Sequence, residues 1–241
     1  MLLLSSVVTA AALASTTFGT DPTETLTRVE VTFDQSELRR DAMRTALKTR
    51  FDLGIVDVLA LRAEMPFARL DPSDGSAETG GGDARVQLGW RAFDDPSFSM
   101  FFAGGVVLNT ANDRVLGQGA DQVVLQASAS AALPGIRSRL FETIEHFVSY
   151  DRDRDRDGVA LTKIDLHLMT EWSQTAWTQS GAEFFIDWKR GDQTGLNLDF
   201  EIGKQTNSGF AIWLKPAVGL FGHDIEGVVD WSVTVGVRWL F

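Results

Sequence analysis

Residues 229–241 constrain the fold most. Val229, Trp231, Val233, Val235, Val237, Trp239 and Phe241 share one phase, and Asp230, Ser232, Thr234, Gly236 and Arg238 share the other; only Leu240 breaks the pattern. A period of two is that of a strand with one apolar and one polar face. Thirteen residues exceed the usual globular strand but suit a tilted strand that crosses a bilayer.

The same alternation recurs along the chain after about residue 24. Leu196, Leu198, Phe200 and Ile202 alternate with Asn197, Asp199 and Glu201; Ile164, Leu166 and Leu168 alternate with Lys163, Asp165 and His167. Phe184, Ile186 and Trp188, then Val86, Leu88 and Trp90, then Val29, Val31 and Phe33 repeat it. The expected strands are 25–35, 43–51, 56–67, 82–93, 98–109, 121–133, 137–150, 159–172, 177–188, 194–203, 209–221 and 228–241. Their connections alternate in length. The longer set is Ser36–Ala42, Ala68–Gly81, Thr110–Ala120, Asp151–Gly158, Lys189–Gln193 and Gly222–Gly227; the shorter is Asp52–Ile55, Asp94–Ser97, Pro134–Ile136, Ser173–Ala176 and Lys204–Ser208. Transmembrane barrels have this asymmetry, with short turns in the periplasm and long loops outside. Lipid offers no partner to an open sheet edge, so the strands must close. The expected fold is all-β: a closed antiparallel transmembrane barrel of about twelve strands in a Gram-negative outer membrane.

Composition and the N-terminus narrow the compartment. Asp and Glu number 33 against 22 Lys and Arg, an acidic balance that argues against a nucleic-acid partner. Cysteine is absent, which excludes disulfides and thiolate metal sites. Residues 1–19 read as a secretion signal, with an apolar core at Leu2-Leu3-Leu4 and a small-x-small site at Ala12-Leu13-Ala14, although the usual positive start is missing. The barrel domain is then 20–241. No other stretch approaches the roughly 18 apolar residues of a membrane helix.

The apolar-phase aromatics Trp188 and Trp231 fall near the expected outer rim, and Trp172, Trp239 and Phe241 near the periplasmic one, as paired interfacial belts require. Thr234-x-Gly236-x-x-Trp239-x-Phe241 resembles the polar-x-Gly-x-x-aromatic-x-aromatic signal that outer-membrane barrels present to the insertion machinery.

The polar phase carries segregated charge. Arg44, Lys48, Arg50, Arg62, Arg85 and Arg91 lie on the second to fourth expected strands. Asp165, Glu171, Glu183, Asp187, Asp199 and Glu201 lie on the eighth to tenth. In a ring of about twelve strands the two groups stand on opposite walls. Two readings stay open: a transverse field or gating ion pairs in a polar channel, and cross-barrel salt bridges that rigidify a narrow lumen. Catalysis has weak support. His146 and Ser149 fall on opposite faces of a strand, His167 has no nearby serine, and His223 sits in an outer loop. Asp151-Arg-Asp153-Arg-Asp155-Arg-Asp157-Gly158 has the outline of a calcium loop, but Ile164 stands at the glutamate position and alternating arginines oppose a cation. It reads as a solvated loop whose arginines are able to meet lipopolysaccharide phosphates. Gly80-Gly81-Gly82 opens no helix and is a loop end, not a phosphate cradle. No metal, cofactor or catalytic residue is expected.

Gly81-Gly82-Asp83-Ala84-Arg85-Val86-Gln87-Leu88-Gly89-Trp90-Arg91 resembles a strand of the outer-membrane transporter family associated with phenol-degradation meta-pathways. Leu108-Asn109-Thr110 and Leu116-Gly117-Gln118-Gly119 are similar to that family's L-P-T-G and L-G-x-G segments, with Asn109 in place of proline and Ala111 in place of glycine. The resemblance implies a passive or facilitated route for small, often aromatic, molecules, and carries no catalytic residue. The leading expectation is a channel or transporter barrel whose partners are outer-membrane lipid and lipopolysaccharide, the insertion machinery and a small solute. A structural or surface-interaction barrel with a plugged lumen stands second, and a lipid-modifying enzyme third.

Overall fold

The computed structural model describes residues 17–38, 41–113, 115–152 and 158–241. The expected leader lies outside them as far as residue 16, as does the 153–157 part of the calcium-like loop. Thirteen strands succeed one another: β1 (Arg28–Leu38), β2 (Ala42–Val56), β3 (Leu59–Asp71), β4 (Glu78–Gly81), β5 (Ala84–Asp95), β6 (Phe98–Leu108), β7 (Ala120–Leu133), β8 (Ser138–Arg152), β9 (Ala160–Ser173), β10 (Ala176–Asp187), β11 (Gln193–Gln205), β12 (Phe210–Phe221) and β13 (Trp231–Leu240). All pairings are antiparallel between neighbours, and β1 pairs with both β2 and β13, from Arg28↔Leu240 to Glu37↔Trp231. That pairing shuts the sheet into a ring.

The ring has twelve members because β4 and β5 share one place. β3 pairs with β5 through Leu59–Glu64 and with β4 through Phe67–Leu70. Pro66 lies between the two stretches and has no N–H to give the ladder, so the wall is interrupted there. Its carbonyl accepts the Gly82 N–H at 2.9 Å. Asp83 then turns to the 109–119 connection, accepting Ala111 N at 3.1 Å and Gln118 N at 2.7 Å. Thr110 Oγ1 receives Ala84 N at 2.9 Å, and Gly81 N donates to Asn112 Oδ1 at 2.7 Å. The two segments that carried the family resemblance are thus one structural unit. A Cβ on Gly82 would lie 2.9 Å from Pro66 Cγ, and one on Gly117 2.6 Å from Asp83 Oδ1, so neither position has room for a side chain.

Burial decides which face is which. Phe33, Phe51, Leu88, Trp90, Leu125, Phe200 and Trp239 are exposed, while Glu30, Asp52, Gln87, Gln126, Asn197 and Asp199 are buried. That inverts a soluble protein and is the pattern of a barrel solvated by lipid around a polar lumen. The fold is that of an outer-membrane β-barrel. Trp172, Phe98, Phe210, Trp239 and Phe241 belt the rim of short turns, and Tyr150, Trp188, Trp231 and Phe221 the opposite rim.

The long and short connections alternate as expected, with corrections to three of them. Ser36–Ala42 is not a long loop: Ser36, Glu37 and Leu38 still pair with Arg44, Met43 and Ala42, which leaves residues 39–41 as the link. Polar residues on both faces there give a paired strand end the look of a loop. Likewise β3 runs to Asp71, β4 lies within the expected Ala68–Gly81 loop, and β2 runs to Val56.

Candidate functional site: the lumen

Residues 17–27 precede β1 and cross the periplasmic mouth inside the ring. Phe18 enters an apolar cluster with Phe141, Met169, Trp177, Ala211 and Trp213, and its ring stacks on Trp177 at 4.7 Å. Trp177 is fully buried and donates from Nε1 to Glu201 Oε1 at 2.8 Å. Both indoles lie flat on glycines of the paired strand, Trp177 over Gly203 and Trp213 over Gly236, where any Cβ would occupy the ring's place.

The segment's backbone is held from the wall. Arg238 Nη1 donates to the Phe18 carbonyl at 2.9 Å, and Arg28 donates to the Gly19 carbonyl. Asp21 closes a turn by accepting Thr23 N at 2.9 Å, and also accepts Ser130 Oγ at 2.6 Å. Thr23 and Ser99 share a hydroxyl contact of 2.6 Å, and Thr25 donates to the Asp57 carbonyl at 2.6 Å. These contacts run from β13 to β7 and β6 and back to the β2–β3 turn, so the segment forms a chord across the mouth. Beside it a void of about 10 Å³ remains near Arg62, Gln87 and Phe101.

The predicted basic wall lies on β2, β3 and β5. Arg50 and Arg62 converge on Asp52, at 2.8 and 3.0 Å, with Arg28 of β1 at 2.6 Å. Arg50 also faces Glu64 at 3.8 Å, and Arg85 pairs with Glu145 of β8. Lys48 is inward at mid-wall, opposite Thr32 and Pro66, and Arg44 stands towards the outer end, opposite Ser36 and Leu70. Arg91 falls at the periplasmic rim instead, donating to Thr25 Oγ1 at 3.2 Å and to the Asp57 carbonyl at 2.6 Å.

The predicted acidic wall lies on β9–β11. Asp165 and Glu183 face Lys163 at 3.1 and 3.3 Å, Lys215 of β12 approaches Glu183 at 3.7 Å, and Asp199 faces His167 Nε2 at 3.0 Å. Glu201 holds Trp177, Glu171 sits opposite it at the periplasmic end, and Asp187 meets Arg190 at 3.6 Å at the outer end. Among the described residues no ion pair joins the two walls; each is offset locally by groups of opposite sign. A reading by strand-wide charge passes over those groups: Asp52, Glu64, Glu145, Lys163 and Lys215.

At the C-terminus Thr234 donates to Asp34 at 2.9 Å, Gly236 lies under Trp213, and Trp239 stacks with Phe241 on the lipid side at 5.5 Å. His146 faces outward, with Nδ1 2.9 Å from Thr162 Oγ1, and His223 lies 2.7 Å from Asp230 in the β12–β13 connection.

At the outer mouth a cavity of about 540 Å³ is walled by the connections after β6, β8, β10 and β12, with Gln118, Arg152, Lys189, Arg190 and Glu226 among its lining. Among the described residues the lumen is therefore crossed by chain at one end and holds a cavity at the other.

The sequence matches no protein-family model and no curated protein. Solved structures with the same architecture include the COG4313 outer membrane channel from Pseudomonas putida F1, at TM-score 0.72 and 12% identity over 95% of this chain and 100% of that one. The NanC porin aligns at TM-score 0.60 and 9% identity over 88% and 98%. The translocator domain of the autotransporter NalP from Neisseria meningitidis aligns at 0.57 and 13% over 99% and 95%.

Proposed function

We propose that this protein is an outer-membrane channel or transporter for small aromatic or hydrophobic solutes, a relative of the family associated with phenol-degradation meta-pathways. One observation carries the reading. The lumen pairs an outer cavity with an aromatic cluster, and that cluster's inner face is occupied by a chain segment held by hydrogen bonds, packing and an ion pair of Asp21 with Arg139 at 3.6 Å. Polar walls admit water, and the rings of Phe141, Trp177 and Trp213 offer an apolar body a place once Phe18 withdraws. The channel and the porin of like fold support the reading. Flux of benzyl alcohol and of a sugar of similar size into liposomes tests it: faster entry of the aromatic through protein-containing vesicles is expected, and equal leakage with and without protein would sink it.

The second reading, a structural or surface barrel with a plugged lumen, draws on the same chord across the periplasmic mouth. Removing residues 17–25 separates the two, because a channel gains flux and a structural barrel remains blocked by its own side chains. We infer further that the chain is not an enzyme, that its leader is removed near Ala14, and that its surroundings are outer-membrane lipid and lipopolysaccharide. Release of fatty acid from labelled lipid by the purified protein would overturn the first of these. Engagement of the insertion machinery by Thr234, Gly236, Trp239 and Phe241 is tested by Phe241→Asp. Loss of folded protein from outer membranes at unchanged synthesis is expected.

A further inference from the structure

The outer cavity has a built corner. Along β8 the lumen-facing phase runs through Phe141, Thr143, Glu145 and Ser149. Ser149 pairs with Gln122, Asp151 with Asp121 and Arg152 with Ala120, so β8 carries one extra residue, Tyr150, in a bulge. A bulge shifts the phase of the residues after it and re-aims side chains. Ala120 is fully buried on the inner face, and Arg152 opposite it is turned inward as well. Gly158 lies where this turn meets the β10–β11 connection. A Cβ there would be 2.8 Å from Ser149 Oγ, 3.5 Å from Arg152 Nη1 and 3.7 Å from Lys189 Cε. Ser149 Oγ is engaged by the Val159 backbone, whose N–H it accepts at 2.9 Å, so the guanidinium and the lysine side chain are the groups that converge on the space left by one missing side chain. Arg190 nearby is already taken, by Asp187 at 3.6 Å and the Asp224 carbonyl at 2.7 Å. Among the described residues neither the Arg152 guanidinium nor the Lys189 ammonium has an anionic partner.

The rest of the cavity is mixed. Val159, Ala160 and Leu161 line one side, with Leu161 packed on a buried cluster of Phe185, Ile225 and Val228; Gln118, Glu226 and the Asp187–Arg190 pair complete the lining. The cationic corner therefore adjoins an apolar side of the cavity, the Val159–Leu161 stretch. We propose that the outer mouth holds an anion subsite, built by Arg152 and Lys189 beside Gly158, for the carboxylate of an amphipathic organic acid. The proposal rests on the channel reading and names its substrate class. The guanidinium supplies paired N–H donors matched to a carboxylate, the ammonium adds a point charge, and the apolar side takes the apolar body.

Calorimetric titration of the full chain in nonionic detergent tests it, with octanoate against octanol, and inorganic phosphate as the bare anion. Octanoate should bind about tenfold more tightly than octanol, the difference a charge-assisted contact contributes. The double variant Arg152→Gln, Lys189→Gln should lose that preference with octanol binding unchanged, while Arg69→Gln, outside the cavity, should keep it. Both variants are checked as folded by their heat-shifted migration. Equal binding of octanoate and octanol to the unaltered chain, or an undiminished preference in the double variant, overturns the subsite. So does phosphate competing as well as octanoate, since the apolar side would then contribute nothing. A double variant that loses only retention of added lipopolysaccharide assigns the two cations to lipid phosphates and likewise overturns it. Octanoate binding without liposome flux of either probe sinks the channel reading and leaves the subsite standing; flux of octanol without octanoate preference does the reverse.

Discussion

The two ends of the lumen use the same residue types for opposite purposes. At the periplasmic end Arg28 and Arg238 are buried and direct their donors to the carbonyls of Gly19 and Phe18, and a void of about 10 Å³ beside the segment has room for about one water. At the outer end Arg152 and Lys189 face about 540 Å³. What differs is the length of chain opposite. At the rim of short turns the N-terminal peptide bridges the walls, while at the other rim the longer connections after β6, β8, β10 and β12 wall a cavity. A lumen cation is a structural anchor where backbone lies within reach and a recognition group where it does not.

The largest effect should come from removing what fills the narrow end. Deletion of residues 17–25 should raise single-channel conductance in planar bilayers severalfold while leaving the heat shift on gels intact. Conductance equal to that of the full segment would mean that the periplasmic end is not the constriction. Next in size is the seat itself. Gly203→Val places a side chain where the Trp177 ring lies and should cost about 1–3 kcal/mol, the usual penalty of overpacking, read as a lower unfolding temperature in detergent. Gly104→Val, with nothing nearer than 3.8 Å, is the control and should be near neutral. A Gly203 variant as stable as the control would show that the ring is free to move aside.

A smaller shift belongs to the middle of the lumen. Replacing Asp165, Glu183 and Asp199 by Asn, Gln and Asn leaves Lys163, Lys215 and the arginine wall without those counter-charges. Reversal potentials across a salt gradient should then move towards anions, and the change should shrink at 1 M salt, where the Debye length is roughly 3 Å. An unmoved potential in an open pore would take these carboxylates off the conducting path. Smallest of all is the outer rim. Arg190→Gln breaks a half-exposed ion pair with Asp187 and should change stability by less than about 1 kcal/mol. A larger loss would mean that the outer connections are braced as firmly as the periplasmic end.

The barrel is legible in the sequence because alternation is local: each strand declares its own faces, and the β9 and β11 phases of residues 163–168 and 196–202 are those the burial pattern has. The contents of the lumen are less so. Trp177 and Trp213 lie in the polar phase, so a search for apolar-phase girdle aromatics passes over them. Their partners Gly203 and Gly236 are across a strand pairing and carry no signal of their own. Phe18 falls within the stretch that reads as leader, where hydrophobicity has another explanation. The majority sign of each charged wall hides Asp52, Glu64, Lys163 and Lys215. The GGD strand and the L-G-x-G segment stand out as separate pieces; that Asp83 ties them together is a fact of three dimensions.

Arg28 belongs to β1 and Arg238 to β13, the first and last strands, whose pairing converts a sheet into a ring. The two guanidiniums that receive Phe18 and Gly19 come side by side only when that seam has formed, and the Phe241 N–H reaches the Thr27 carbonyl at the same place. Complete docking of the N-terminal peptide therefore requires the closed seam. Added protease should accordingly cut the peptide before the ring closes and spare it afterwards, when Phe18, Asp21 and Thr23 are buried.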